Sequence, residues 1–128
     1  MNLRVRSFLI ELARHPRKNY IHYQELCREC GLGLDMSKPE DRKEIGHILG
    51  VISTFEFKKS RPLLSALVVS TNFEEGDGFF KLCVELGMGG SWKKLKDDPA
   101  FVSLRINECV EFWKDETHYL AFRDDVNL

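Results

Sequence analysis

No stretch of this 128-residue chain approaches the roughly 18 consecutive apolar residues that a membrane-spanning helix requires. Near the start, Arg4, Arg6 and Glu11 interrupt the apolar positions, so that segment reads as an amphipathic helix and not as a secretory leader. No membrane partner is expected. The four cysteines are then expected as reduced thiols in a cytoplasmic setting. An excess of charge of one sign is missing too: 19 Lys and Arg stand against 20 Asp and Glu, a net charge of −1. That balance excludes a strongly polyanion-seeking or polycation-seeking chain, although charge is unevenly distributed along it.

Ligand and nucleophile spacings are equally sparse. Cys27-x-x-Cys30 lacks the second cysteine or histidine pair that would complete a tetrahedral zinc site, because Cys83 and Cys109 stand alone. A redox CxxC works from a helix N-terminus, where the dipole lowers the thiol pKa. Here the pair falls in the middle or last turn of a short helix, so Cys27 is expected to pack in the core. His15, His22, His47 and His118 have no ligand spacing, and Ser65 sits in an apolar run without a nucleophile elbow. Glu74, Glu75 and Asp77 lack the alternating oxygens and distal glutamate of a calcium loop. Gly76 and Gly78 match no phosphate-binding fingerprint. Neither a catalytic residue nor a metal nor a cofactor is expected.

What is present suits an ordinary globular chain: 43% hydrophobic and 30% charged residues, long enough for a single domain over residues 1–128 with its own core. Val5, Phe8, Leu9 and Leu12 predict a helix over 3–14 with its arginines on the opposite side, stopped by Pro16. Tyr20 and Ile21 form a short extended entry to a helix at 23–30, which Gly31 ends in a left-handed cap. Ser37-Lys-Pro-Glu40 has the form of a capping box with proline in the first turn. The longer helix after it carries Ile45, Ile48, Leu49 and Ile52 on one stripe. Gly46 and Gly50 are expected to permit a close crossing with the Tyr23 helix. Phe55 and Phe57 are expected as a strand that pairs with 63–69 across Lys58–Arg61, forming a wing. A helix from Gly78 to Leu86, capped by Asp77, and a last helix opened by Asp98-Pro99 complete the chain. Residues from about Thr117 give no clear signal. The expected class is α+β, with a helix-turn-helix or winged-helix-like core, a short β-hairpin and additional C-terminal helices.

Tyr20-Ile-His-Tyr-Gln-Glu-Leu-Cys-Arg-Glu-Cys-Gly31, Arg42-Lys-Glu-Ile-Gly46 and Leu64-Ser-Ala-Leu-Val-Val69 together resemble the winged-helix half of the alkylguanine-DNA alkyltransferases and alkyltransferase-like proteins. The resemblance covers about 50 residues. It implies a DNA-binding fold in which Tyr23 aids nucleotide rotation and Lys43, imperfectly, takes the place of the arginine that fills the vacated stack. The alkyl-accepting cysteine of that family falls at Ser65, so alkyl transfer is not implied.

Two functions are expected from these readings. In the first, the chain is a non-enzymatic nucleic-acid-binding module. The helix near Pro39 enters a groove, and Tyr23, Arg42, Lys43, Lys58, Lys59 and Arg61 form the contact surface, with DNA as partner. In the second, it is a protein-interaction module such as an inhibitor, immunity protein or regulatory subunit. It then uses the acidic, aromatic C-terminal segment that contains Phe101, Phe112, Trp113, Tyr119 and Phe122. The basic start and acidic end either form two faces of opposite sign or pair with each other.

Overall fold

The computed structural model describes residues 1–70 and 76–126. Helix α1 spans Leu3–Arg14, and the Asn2 side chain caps it by accepting from the Val5 amide at 3.0 Å. Pro16 follows its end. Strand β1 (Ile21–His22) leads into α2 (Tyr23–Glu29). Gly31 has φ +63°, and the Leu32 amide bonds back to the Cys27 carbonyl at 2.9 Å. This is the left-handed stop that glycine supplies without a Cβ penalty.

Helix α3 runs from Pro39 to Lys58. The capping box does not form. Lys38 holds the cap position, while the Ser37 amide and hydroxyl both bond the Asp35 carboxylate, at 2.9 and 2.7 Å. Asp35 competes successfully for the serine because it lies two residues away, in side-chain–backbone turn geometry. The same two bonds hold the Asp35 carboxyl below its usual pKa.

The largest departure from expectation lies between residues 53 and 69. Phe55 and Phe57 are helical, and among the described residues there is no β-hairpin. The stripe Ile45–Leu49–Ile52 continues at helical period through Phe55 and Glu56, all buried, so the core holds the chain in a helix for a further turn. The stop is a Schellman-type end without glycine. The Ser60 amide bonds the Phe57 carbonyl, the Arg61 amide bonds the Glu56 carbonyl, and Ser60 takes φ +60°. Residues 64–67 then form a 3-10 turn, and only Val68–Val69 is strand, here β2. It pairs in parallel with β1, Ile21 against Val68 and His22 against Val69. The Ser53 hydroxyl donates to Ser65 Oγ at 2.6 Å and accepts from the Ser65 amide at 3.1 Å, so two buried serines satisfy each other.

Beyond β2 come α4 (Asp77–Glu85), α5 (Trp92–Asp97), α6 (Pro99–Lys114) and α7 (Glu116–Phe122). Gly87, at φ +88°, ends α4 as Gly31 ends α2. Asp98 caps α6 through the Ala100 amide at 3.0 Å, as Asp98-Pro99 predicts. Asp115 caps α7, a helix with no expected counterpart, through the His118 amide at 3.1 Å. The architecture is therefore a small, mostly helical α+β fold. Its main core gathers α1, α2, α3, the 3-10 turn and α6 around Leu9, Ile52, Leu67 and Trp113. A satellite core under α4 to α6 is built on Phe79, Phe80, Cys83 and Phe101. No helix among the described residues is long and apolar enough to cross a membrane.

Arg6 is not on the polar side of α1. It is 1% exposed and donates to Glu56 at 2.8 Å, and Arg61 donates to the other Glu56 oxygen at 2.5 Å. Arg61 also holds Asp125 at 2.9 Å, and Arg6 donates to the carbonyls of Arg123 and Phe122. One turn-pair further along α1, Arg14 donates to the Trp113 carbonyl at 2.8 Å and to Glu116 at 2.9 Å. The ion pair Arg14–Glu116 thus joins the basic start to the acidic end, while Arg6 reaches backbone carbonyls there and Asp125 is held by Arg61 and Lys59.

Two predictions follow from this stretch. Glu56→Ala leaves two guanidinium groups buried without their shared partner and costs about 3–5 kcal/mol; urea unfolding measures it, and a loss under 1 kcal/mol contradicts the network's role. Ser60→Gly removes the left-handed penalty at the end of α3 and adds about 1 kcal/mol, read as a rise in the denaturation midpoint. An unchanged or lower midpoint rules out that account.

Candidate binding pocket

A pocket of about 760 Å³ lies between α2, α3 and α4, within the range of roughly 300–1,000 Å³ common for small-molecule sites. Its α3 wall carries Arg42, Ile45, Gly46, Leu49 and Gly50. Residues 42, 46 and 50 recur every four positions and lie near one line of the helix, with Ile45 and Leu49 on the adjoining line. The α4 wall offers Phe79 and Leu82 as apolar surface, with Lys81 and Glu85 exposed at the edge. Tyr23 and Gln24 come from the start of α2, and Ser65 from the 3-10 turn.

The two glycines do not serve a helix crossing. Among the described residues, a Cβ built at Gly46 or Gly50 meets no atom within 4 Å. Both therefore sit inside a 20-residue helix without close packing to offset their helix cost of about 1 kcal/mol each. What they provide is room: a larger side chain at either position projects into the pocket.

Polar groups around the pocket are mostly committed. The Gln24 amide donates to the Leu34 carbonyl at 3.0 Å and accepts from the Met36 amide at 2.8 Å, bracing the loop before α3. His22 Nδ1 lies 3.1 Å from the Ser70 carbonyl. Arg42 Nη1 donates to the Met36 carbonyl at 2.8 Å, which pins the guanidinium at the pocket's edge. Arg42 has no carboxylate partner among the described residues. The Lys81 ammonium lies 5.0 Å from the Trp92 ring centre. Lys96 holds Asp77 at 2.7 Å and, by that hydrogen bond, keeps its carboxyl below the usual pKa.

The residues expected to form a nucleic-acid surface scatter. Tyr23 and Arg42 meet at the pocket. Lys43 and Lys58 are exposed on α3, about 22 Å apart along the axis and rotated by about 60°. Lys59 is 3.9 Å from Asp125 and 5.7 Å from the Phe55 ring centre. Arg61, expected at a wing tip, is 5% exposed and engaged by Glu56 and Asp125. It is withdrawn from any phosphate because the bend it occupies is covered by the C-terminal segment. Lys93 and Lys94, on α5, are exposed away from these groups.

The aromatic C-terminal set turns inward as well. Trp113 is fully buried and Phe101 is 7% exposed, while Phe112, Tyr119 and Phe122 pack half-buried against the main core. Cys27 and Cys30 are buried, and desolvation raises both thiols above their ordinary pKa. The acidic loop singled out at 74–77 falls partly outside the described residues. Among those described, no group of three or more His, Cys, Asp or Glu is placed to hold a metal.

The sequence signal for the pocket was present in the glycine pair, whose spacing is equally compatible with a helix contact and with a void. Comparison of the chain with protein-family models, curated proteins and solved structures finds no match.

The void has a direct test. Gly46→Ala and Gly50→Ala, each adding a methyl group into open space, should stabilise the protein by about 0.5–1 kcal/mol apiece, measured by thermal or urea unfolding. Destabilisation by either would show that the space is occupied.

Proposed function

We propose that this chain is a non-enzymatic binding module whose ligand enters the pocket between α2, α3 and α4. The observation that carries the reading is the pocket's α3 wall. Two glycines interrupt a helix that would be more stable without them, and no described residue packs in the space they leave. Water in such an apolar-walled space finds few partners, so its release favours an apolar ligand. No step of chemistry is assigned.

The test is a two-dimensional amide NMR titration with decanol and, separately, with decanoate. Shifts concentrated at Gly46, Gly50, Phe79 and Leu82 are expected with at least one of them, and Gly46→Leu, which fills the space, should remove them. If neither probe perturbs these amides, or if Gly46→Leu responds like the unmodified chain, the pocket reading is overturned.

A second reading, nucleic-acid binding, draws on one observation. Tyr23, Arg42 and Ser65 come from the three segments that resemble the alkyltransferase winged helix, and all three line this pocket. In this version α2 and α3 act as the helix-turn-helix pair without a wing, and exposed Lys43 and Lys58 contact phosphates. Fluorescence anisotropy with a labelled DNA duplex decides it. Affinity should fall steeply between 50 and 200 mM salt, as counterion release requires, and Lys43→Glu should weaken it. Binding that is absent at low salt, or insensitive to salt, removes this reading.

A further inference from the structure

The rim of the pocket is not electrically neutral, and that narrows the occupant. Among the described residues that line it, Arg42 and Lys81 carry positive charge at its edge, against Glu85 as the one acidic side chain. The groups facing Lys81 include Trp92, whose ring it overlies, and Asp77, whose carboxylate it helps to stabilise. Lys81 is thus partly engaged. Arg42 is not. Its single hydrogen bond, to the Met36 carbonyl, fixes the guanidinium in place and leaves the other donors of its planar fork without a partner among the described residues. Below that guanidinium, along the same line of α3, lie Gly46 and Gly50, with Ile45 and Leu49 beside them. From Arg42 to Gly50 the helix rises about 12 Å, which makes the cavity longer than a single ring requires.

Resting on the pocket reading above, we propose that the ligand is an amphipathic monoanion: a carboxylate or similar head on Arg42, and an extended apolar body along Gly46 and Gly50, covered by Phe79 and Leu82. Each half of the site explains what the other cannot. An apolar ligand alone would make no use of the solvent-exposed guanidinium that the Met36 carbonyl holds at the groove's end. An anion site alone would not need a cavity floored by two glycines. A planar fork recognises a carboxylate through paired hydrogen bonds, which a lysine at the same place does not reproduce. Arg42 is assigned the head group and Lys81 a supporting charge.

The experiment compares three ligands of one chain length: decanoate, decanol and decylamine, by isothermal titration calorimetry on the full chain. Decanoate should bind about tenfold more tightly than decanol, the usual worth of a charge-assisted hydrogen bond, and decylamine most weakly. Arg42→Gln should lower the decanoate affinity to the decanol level and leave decanol unchanged. Arg42→Lys should restore only part of the difference. Gly46→Leu should abolish binding of all three, with circular dichroism showing an intact helix content, while Gly46→Ala should still bind.

Equal affinities for decanoate and decanol overturn the anionic head group while the pocket reading stands. Tightest binding of decylamine also overturns it, and places the head on Glu85 instead. Absence of binding by all three overturns the pocket reading itself. Decanoate binding that survives both Arg42→Gln and Gly46→Leu locates the anion elsewhere on the surface and ends the proposal.

Discussion

The first helix, the end of α3 and the C-terminal segment meet at the carboxylate of Glu56. It is fully buried near the end of α3 and bonded by a guanidinium on each side, Arg6 from α1 and Arg61 from the bend after α3. Asp125 extends the row to four groups of alternating sign. Such a row cancels its own charge, but burying it is costly, and each member is tolerable only while its neighbours are in place. The aromatic rings of Phe55, Trp113 and Phe122 lie against the two guanidiniums within about 6 Å, adding a cation–π contribution that desolvation strengthens. Arg6 also caps the C-terminal end of α7, and Arg14 that of α6. Cations there satisfy orphan carbonyls and oppose the negative end of the helix dipole. The first helix therefore fastens the last two. A hydrophobic core would do as well for stability, but it would not dictate which helix end docks where.

This network also explains where reading the sequence failed. The alternation Phe55-x-Phe57 followed by a basic tetrapeptide and an apolar run looks like a hairpin when side chains are judged by polarity. Glu56, between the two phenylalanines, then counts as a solvent-facing residue. In fact Glu56 and Phe55 face the core and Phe57 is partly exposed, so the helical period continues. Arg6 was misplaced for the same reason: partners 50 and more positions away are invisible to local pattern. Helix ends show the contrast well. Gly31 and Gly87 are legible as left-handed stops because glycine advertises them. Ser60 performs the same role with a residue that advertises nothing, and the wing was drawn where that stop belongs.

The candidate site was half legible for a related reason. Tyr23, which the resemblance points to, and Arg42, a basic residue at the start of α3, both border the pocket, while Lys58, Lys59 and Arg61 depend on a wing that does not form. Gly46 and Gly50 were noticed but assigned to a close helix contact. Small residues at i and i+4 state only that bulk is unwelcome; whether a neighbour or a void fills the space is a tertiary fact. The short parallel pair of β1 and β2 was likewise out of reach, since two-residue strands carry no period.

The two ends of α3 have different physical characters, and that division bears on what the helix can do. Its C-terminal part is locked by Glu56 in the charge network, by the buried Ser53–Ser65 hydroxyl pair, by buried Phe55 and by Ile52 in the main core. Its first three turns, residues 39–50, carry both glycines, lack a side-chain cap and border the pocket. Low contact density and low helix propensity coincide there, which is the combination expected of a locally less stable segment. Because the far half is fixed, loosening at the near half cannot propagate as unfolding of the core. A ligand filling the pocket would instead supply the packing that the glycines withhold, so the energy of occupying the site and the energy of ordering this half of α3 are one quantity. The helix thus joins an anchored, charge-paired end to a glycine-bearing pocket wall.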